Sequence, residues 1–178
     1  MQLVYKKVPV EFLQALPEGI KYVQKKNQDF LVIEQLYCRT GHSLMAERVR
    51  LHNEPSICLD AKIGSQTGRI FVDAFWGSHD KLYSFMPTDA DRHSIIEASC
   101  PHCGISLMAD WQCPAEGCGC KQAIVLNLPG GVNTIMVCAK LGCPEHELAI
   151  QQMAEEVRRK IKSINYFGEF QDDMFRGI

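Results

Sequence analysis

The stretch that decides the fold runs from Cys100 to Cys143 and reads CPHCGISLMADWQCPAEGCGCKQAIVLNLPGGVNTIMVCAKLGC. Two largely apolar segments within it, residues 123–128 and 133–139, flank a Pro-Gly-Gly turn, which is the pattern of a β-hairpin. Seven of the nine cysteines of the chain lie in this stretch: Cys100, Cys103, Cys113, Cys118, Cys120, Cys138 and Cys143. We find no export signal at the start of the chain, and clustered thiols in a reducing compartment are typical metal ligands. The stretch therefore predicts a β-hairpin that is stabilised by a bound metal.

The segment Cys100-Pro-His-Cys103-Gly104 is the sharpest motif of the chain. Two thiolates at this spacing can chelate one ion, and the glycine lets the chain turn tightly while backbone amides approach the sulfurs. The motif resembles the first knuckle of the zinc-ribbon superfamily. That resemblance covers residues 100–143, and it implies a Zn²⁺ site with four cysteine ligands, two of which come from a second knuckle across a hairpin.

Two cysteine pairs could form the second knuckle. Cys138 and Cys143 are favoured by an internal repeat that is described below, whereas Cys113 and Cys118 have the spacing of a short ribbon. Seven thiols, with Cys120 included, could also bind two zinc ions if His146 or His102 supplied an eighth ligand. The sequence leaves open which cysteines share a metal, and whether the chain binds one zinc ion or two.

An internal repeat relates two parts of the chain. Residues 41–47 (GHSLMAE) match residues 104–110 (GISLMAD) at five of seven positions, and a predicted hairpin follows each copy. The first hairpin comprises residues 57–63 and 69–76, and the segments that end the two hairpins, residues 71–78 and 136–143, are also related. Two matches in the same order indicate a tandem duplication.

Aligning the two copies shows where cysteines were kept or lost. In this alignment Tyr37 and Thr40 face Cys100 and Cys103, and Asp73 and Ser78 face Cys138 and Cys143. We therefore expect the first copy to fold without metal. A separate site made of Cys38, His42, His52 and Cys58 is possible by spacing, but two core thiols and two surface histidines are the simpler interpretation.

The two ends of the chain have different patterns. Val10, Phe12, Leu13 and Leu16 predict a short helix that stops at Pro17, and residues 30–37 predict a strand. From Glu145 onward the apolar residues follow a helical period up to Ile164, and the tail at residues 166–178 is rich in aromatic residues. The predicted fold is mainly β (α+β), with two tandem β-ribbon units and a C-terminal helix. Its parts are an N-terminal segment (1–36), a metal-free ribbon (37–99), a zinc ribbon (100–148) and a C-terminal helix with its tail (149–178).

Composition excludes several classes of protein. Among the 178 residues 46% are hydrophobic and 22% are charged, which is typical of a globular protein and not of a disordered one. The longest wholly apolar run has five residues, from Ile135 to Ala139, whereas a membrane-spanning helix needs about 20. A net charge of −2 gives no support to nucleic-acid binding. We therefore expect a cytoplasmic protein that contacts no membrane, with nucleic-acid binding as a less favoured alternative.

The expected function is that of a non-catalytic, zinc-binding adaptor or a small subunit of a larger assembly. The apolar helix and the aromatic tail exceed what two small ribbons need for a core, so they predict contact with a protein partner or with a second copy of the chain. The alternatives are a nucleic-acid-binding zinc-ribbon protein and a zinc-dependent enzyme. Closed all-thiolate sites are usually structural, and no nucleophile–base motif or phosphate-binding loop is present, so we predict no catalytic residues.

Overall fold

A computed structural model describes residues 9–78, 80–88, 90–149 and 153–164 of the chain. The protein is mainly β, with three antiparallel sheets and a short helix near the C-terminus, which confirms the predicted fold class. Neither helix in the described part of the chain is long and apolar enough to cross a membrane.

The N-terminal part consists of a helix and a hairpin. Helix α1 (Val10–Ala15) ends before Pro17, as predicted, and strands β1 (Ile20–Lys25) and β2 (Gln28–Ile33) form a two-stranded sheet. Lys26 and Asn27 both have positive φ angles, 48° and 63°, as a tight two-residue turn requires. The strand that the sequence predicts at residues 30–37 corresponds to β2 and ends early, at Ile33.

The first ribbon contains a meander of four strands. They are β3 (Met45–Leu51), β4 (Glu54–Ile63), β5 (Gln66–Val72) and β6 (Lys81–Tyr83), and they pair in this order. The predicted hairpin corresponds to β4 and β5. A further strand, β7 (Ile96–Ser99), pairs with the end of β4 and makes this sheet five-stranded.

The second ribbon contains a meander with the same order. Its strands are β8 (Met108–Asp110), β9 (Gln122–Asn127), β10 (Thr134–Cys138) and β11 (His146–Ala149). The predicted hairpin corresponds to β9 and β10. The prediction of a helix from Glu145 was wrong, because residues 146–149 pair with residues 134–137 and complete the sheet. The spacing of their apolar residues fits either a helix or a strand. The strand forms because it can pair with the otherwise free edge of β10.

Helix α2 (Glu155–Ser163) follows the second ribbon. Ile161 and Ile164, which belong to the predicted apolar stripe, are buried, and Met153 and Val157 pack against the core. Ile150 of the stripe and the aromatic tail at residues 166–178 lie outside the described residues.

Hydrogen bonds show that the two ribbons are built alike. The amide of Asp73 donates to the carbonyl of Asp80 (3.1 Å), and that of Cys138 donates to Glu145 (3.0 Å). Likewise, the amide of Ser78 donates to Phe75 (3.1 Å), and that of Cys143 donates to Lys140 (3.0 Å). Asp73 and Ser78 therefore occupy the positions of Cys138 and Cys143, as the repeat alignment has them.

The alignment differs from the structure at the first knuckle. The amide of Gly41 donates to the carbonyl of Cys38 (3.0 Å), and the amide of Gly104 donates to that of Cys100 (2.9 Å). These bonds match Cys38, rather than Tyr37, with Cys100. The turn of the second ribbon contains one residue more, and an ungapped alignment hides this insertion.

The segments that precede the ribbons cross between them. Ser99 at the end of β7 pairs with Asp60 of the first ribbon, and Tyr37 pairs with Asn127 of the second. In the repeat, Tyr37 corresponds to Ser99, and Asp60 corresponds to Asn127. Each ribbon therefore pairs with the segment that precedes the other ribbon, as two units related by an approximate twofold axis do. Buried apolar residues of both ribbons belong to one core cluster.

Candidate metal centres

Four potential metal ligands converge where the two ribbons meet. Cys38 and His42 come from the knuckle of the first ribbon, and Cys100 and Cys103 come from that of the second. One ligand atom from each lies within 4.8 Å of the ligand atoms of the other three. We call this group the inter-ribbon site. Its two parts are brought together by the crossing segments described above.

Local backbone geometry shapes each half of the inter-ribbon site. Gly41 and Gly104 end the two turns with φ angles of 90° and 72°, which side chains with a Cβ rarely adopt. The backbone amide of His42 donates to Cys38 Sγ, and that of His102 donates to Cys100 Sγ, both at 3.4 Å. Such amide–sulfur contacts stabilise the thiolate form that a metal requires.

The separations of the ligand atoms fit a tetrahedral ion. Zinc–sulfur bonds of about 2.3 Å place two sulfurs about 3.8 Å apart, and a sulfur and an imidazole nitrogen about 3.6 Å apart. Cys38 Sγ lies 3.9 Å from Cys103 Sγ and 3.6 Å from His42 Nδ1. All nine cysteines are free thiols, and these sulfurs are far beyond the disulfide bond length of about 2 Å.

The surroundings of the inter-ribbon site favour thiolates. Burial raises the pKa of the Cys38 thiol, but hydrogen bonds from Thr40 and His42 outweigh burial and lower the pKa to about 5. A hydrogen bond from Thr40 also lowers the pKa of the Cys103 thiol. The Thr40 hydroxyl lies 3.1 Å from Cys38 Sγ and 3.2 Å from Cys103 Sγ, so it can orient both ligands. Cys38 and Cys100 are buried, whereas His42 and Cys103 are exposed, so one side of the site faces solvent.

A second group lies wholly within the second ribbon, and we call it the four-cysteine site. Cys113 and Cys118 lie in the loop between β8 and β9, and Cys138 and Cys143 lie at the turn between β10 and β11. Cys113 Sγ is 3.7 Å from Cys143 Sγ, and Cys118 Sγ is 3.7 Å from Cys138 Sγ. Both distances match the edge of a zinc–thiolate tetrahedron.

The loops that carry the four-cysteine site are held by hydrogen bonds. The amide of Cys113 donates to the carbonyl of Cys120 (3.0 Å), and the Lys140 ammonium donates to the carbonyl of Cys118 (2.8 Å). Burial raises the pKa of Cys113 to about 11 and also raises that of Cys138, whereas the backbone amide of Cys120 lowers the pKa of Cys118 to about 7. A metal ion would replace the protons of the buried thiols and compensate the thiolate charge.

The structure places most of the predicted ligands in these two groups. The two cysteine pairs that the sequence left open as second knuckles lie together in the four-cysteine site, while Cys100 and Cys103 join Cys38 and His42. Cys120 belongs to neither group, and its thiol donates to the Gln122 carbonyl at 3.4 Å. His146 lies outside as well, with Nδ1 3.0 Å from the Pro144 carbonyl oxygen and its ring edge-to-face with Trp76. His102 stacks on His42, with ring centroids 5.7 Å apart, without joining the group.

Sequence reasoning did not group Cys38 and His42 with the first knuckle. The available signal is the segment Cys38-Arg-Thr-Gly-His42, which corresponds to Cys100-Pro-His-Cys103-Gly once the one-residue insertion is allowed for. Of the other two residues in the alternative set, Cys58 is buried in β4, where burial raises the pKa of its thiol. His52 belongs to a different group.

A third cluster occupies, in the first ribbon, the place of the four-cysteine site. His52 Nδ1 lies 2.5 Å from Asp73 Oδ2, and His52 Nε2 lies 3.3 Å from Asp80 Oδ2. Buried Asp73 also accepts hydrogen bonds from the Ser78 hydroxyl (2.6 Å) and from the Phe75 amide (3.1 Å). Nitrogen and oxygen ligands of one tetrahedral ion would be about 3.3 Å apart. The shorter His52–Asp73 distance is that of a hydrogen bond, so this loop can close without metal.

No known protein family, curated protein or solved structure matches this chain. The described residues define a mainly β protein with three groups of side chains that could hold a metal ion, two of which consist of four ligands each.

Proposed function

We propose that the protein is a non-catalytic adaptor, or a small subunit of a larger assembly, that binds two zinc ions per chain. The observation that carries the proposal is the presence of two groups of four ligands with separations suited to tetrahedral zinc. One ion would link the two ribbons, and the other would close the loops of the second ribbon.

Zinc is the ion that these donors favour. Thiolate and imidazole ligands in tetrahedral arrangement select zinc over magnesium, calcium or manganese, which prefer oxygen ligands and higher coordination numbers. An iron–sulfur cluster would need sulfide bridges and is most often held by four cysteines, whereas the inter-ribbon site includes His42. The inter-ribbon site therefore fits structural zinc best, and the four-cysteine site fits it because its sulfurs, 3.7 Å apart in two pairs, can surround a single ion.

A structural role follows from the number of ligands. Catalytic zinc usually has three protein ligands and one position for water, whereas structural zinc has four protein ligands. Each of the two sites supplies four side chains, so neither leaves a position for substrate. Metal binding would instead contribute to folding, because it holds together loops and ribbons that have little core of their own.

The adaptor role is supported by exposed apolar side chains. Within the described residues, five large apolar side chains are at least 40% exposed: Val10, Leu13, Leu82, Met86 and Val132. Together with the aromatic composition of residues 166–178, they provide surface that a protein partner or a second copy of the chain could cover.

Elemental analysis of the full chain, purified without added metal, tests the proposal. We expect two zinc ions per chain. Cys103→Ser should remove one ion from the inter-ribbon site, and Cys118→Ser should remove one from the four-cysteine site. Cys120→Ser and His146→Gln are the matched controls, and both should retain two ions because neither side chain belongs to a ligand group.

Several results would contradict the proposal of two zinc ions per chain. A folded chain without metal would refute the zinc sites, and an iron content with visible absorbance would replace zinc by a cluster. Full zinc loading of the Cys103→Ser variant would show that the inter-ribbon group does not bind the ion. A constitutive complex with nucleic acid, sensitive to salt, would favour the nucleic-acid-binding alternative.

A further inference from the structure

A cavity of about 80 Å³ lies between the inner faces of the two ribbons. Its walls are mostly apolar and come from equivalent positions of the two sheets, for example Ile57 with Ile124 and Val72 with Val137. The cavity therefore lies on the approximate twofold axis. Voids in protein interiors are usually filled, and cavities with largely apolar walls can take up small apolar molecules.

Polar side chains interrupt the apolar wall, among them Asp73, Ser78, His146 and Lys81. Lys81, on the edge strand β6, pairs with Val72, and residues paired across two strands share a face of the sheet. Lys81 therefore points inward and lines the cavity, whereas Leu82, the next residue, is 47% exposed. This reverses the usual order of a cation outside and a leucine inside.

The side chain of Lys81 is partly buried. None of the described residues pairs with it in a hydrogen bond or an ion pair. Burial lowers the pKa of Lys81, and the charge of neighbouring Asp80 opposes this effect only in part. A lowered pKa increases the neutral fraction of a lysine, and the neutral amine is the nucleophile.

We propose that this cavity binds a short aliphatic aldehyde, which Lys81 holds as an imine. The amine nitrogen attacks the carbonyl carbon, the resulting carbinolamine loses water, and a C=N bond replaces the C=O bond. An engineered cavity of about 150 Å³ accepts benzene, so a cavity of 80 Å³ suits about three or four non-hydrogen atoms. A neutral carbonyl compound fits better than a carboxylate, because the acidic side chain of Asp73 also lines the cavity. Cys138 and Cys143 of the four-cysteine site also line the cavity, so the proposal is tested on the zinc-loaded chain.

Reductive alkylation of the full, zinc-loaded chain tests this inference. The protein is incubated at pH 7 with propanal and cyanoborohydride, which reduces the imine to a stable secondary amine, and peptides are mapped by mass spectrometry. We expect Lys81 to gain the propyl group at least ten times faster than Lys62. Lys62 is the matched control, because it lies on β4 of the same sheet, is about half exposed and pairs with Glu97. Zinc content before and after the reaction checks that the sites are intact.

Changing the cavity separates binding from simple reactivity. Val137→Phe should fill the cavity and slow alkylation of Lys81 to the rate of Lys62. Val132→Phe, at an exposed position of the same ribbon, should leave the preference for Lys81 unchanged. Phenylacetaldehyde is too large for the cavity, so with the unchanged chain it should show no preference for Lys81. This size comparison holds even where Val137→Phe does not fold.

Two results would overturn the proposal. One is that Lys81 reacts no faster than Lys62, and the other is that Lys81 keeps its preference with phenylacetaldehyde. Either outcome would leave Lys81 as an inward-pointing charge that protects an edge strand from pairing with other chains.

Discussion

Asp73 and Cys138 occupy equivalent backbone positions in the two ribbons, yet their side chains have different partners. Asp73 bonds to His52, Ser78 and the amide of Phe75, whereas Cys138 faces three other thiols. At the scale of single residues, the same turn is therefore closed by hydrogen bonds in one ribbon and by a candidate metal site in the other. This difference predicts separate responses to mutation.

Asp73→Asn should destabilise the protein by about 2–3 kcal/mol while leaving the zinc content at two ions. The carboxylate is fully buried and accepts hydrogen bonds from the Ser78 hydroxyl and the Phe75 amide, and buried donors that lose their acceptor cost free energy. Chemical denaturation and elemental analysis measure the two effects. The control is Asp60→Asn, because Asp60 is exposed and pairs with Arg69 on the surface, so it should cost less than about 1 kcal/mol. Loss of a zinc ion on Asp73→Asn would mean that the cluster binds metal after all.

Lys81→Met should stabilise the protein at neutral pH, and the gain should shrink as the pH rises toward about 10.4. The pKa of Lys81 is lower in the folded chain than in the unfolded chain, so folding costs more wherever the unfolded lysine is protonated. Above the unfolded pKa the lysine is neutral in both states and this cost disappears. Thermal unfolding of both proteins between pH 7 and pH 10 measures the difference. A constant difference would show that the amine is well solvated in the folded chain.

At the scale of elements, the crossing segments matter more than any single strand. β7 pairs with β4 of the first ribbon, and Tyr37 pairs with Asn127 of the second, so each ribbon is bounded by a segment that continues into the other. The inter-ribbon site lies where these segments turn. We therefore expect its metal to control the docking of the ribbons, while the four-cysteine site controls one loop.

Hydrogen exchange of two variants tests this division. Cys103→Ser should lower amide protection at residues 96–99, where β7 meets β4, and should leave the hairpin of β4 and β5 protected. Cys118→Ser is the matched comparison, and it should loosen residues 111–121 while residues 96–99 stay protected. The same loss of protection in both variants would show that the two sites and both ribbons unfold as one cooperative unit.

At the scale of the whole molecule, the proposed adaptor role predicts a segment that folding does not require. Deleting residues 166–178 should leave two zinc ions and the folded state intact while abolishing self-association or partner binding. Burial of three phenylalanine side chains on a partner would contribute about 1.5–3 kcal/mol each before the costs of association. Light scattering, elemental analysis and circular dichroism measure association, metal and folding. Unfolding of the truncated chain would place these aromatic residues in the core and remove this support for an adaptor.

The sequence by itself determined the parts of the protein that depend on short spacings. The hairpins follow from alternating apolar residues and turn residues, and the knuckle at Cys100 and Cys103 follows from a two-residue spacing and a glycine. The mainly β fold class could be predicted for the same reason. Local patterns are readable because neighbouring residues meet in almost any fold that contains them.

Only the tertiary structure decided which distant residues meet. Cys38 lies 3.9 Å from Cys103 although 65 positions separate them, because crossing segments exchange partners between the ribbons. The structure also placed His146–Ala149 in a strand, where the open edge of β10 outweighs a helical spacing of four residues. It placed Lys81 inside and Leu82 outside, through the register of β6 against β5. Each of these outcomes depends on strand pairing between remote segments, which the free energy of the whole fold selects and no local pattern specifies.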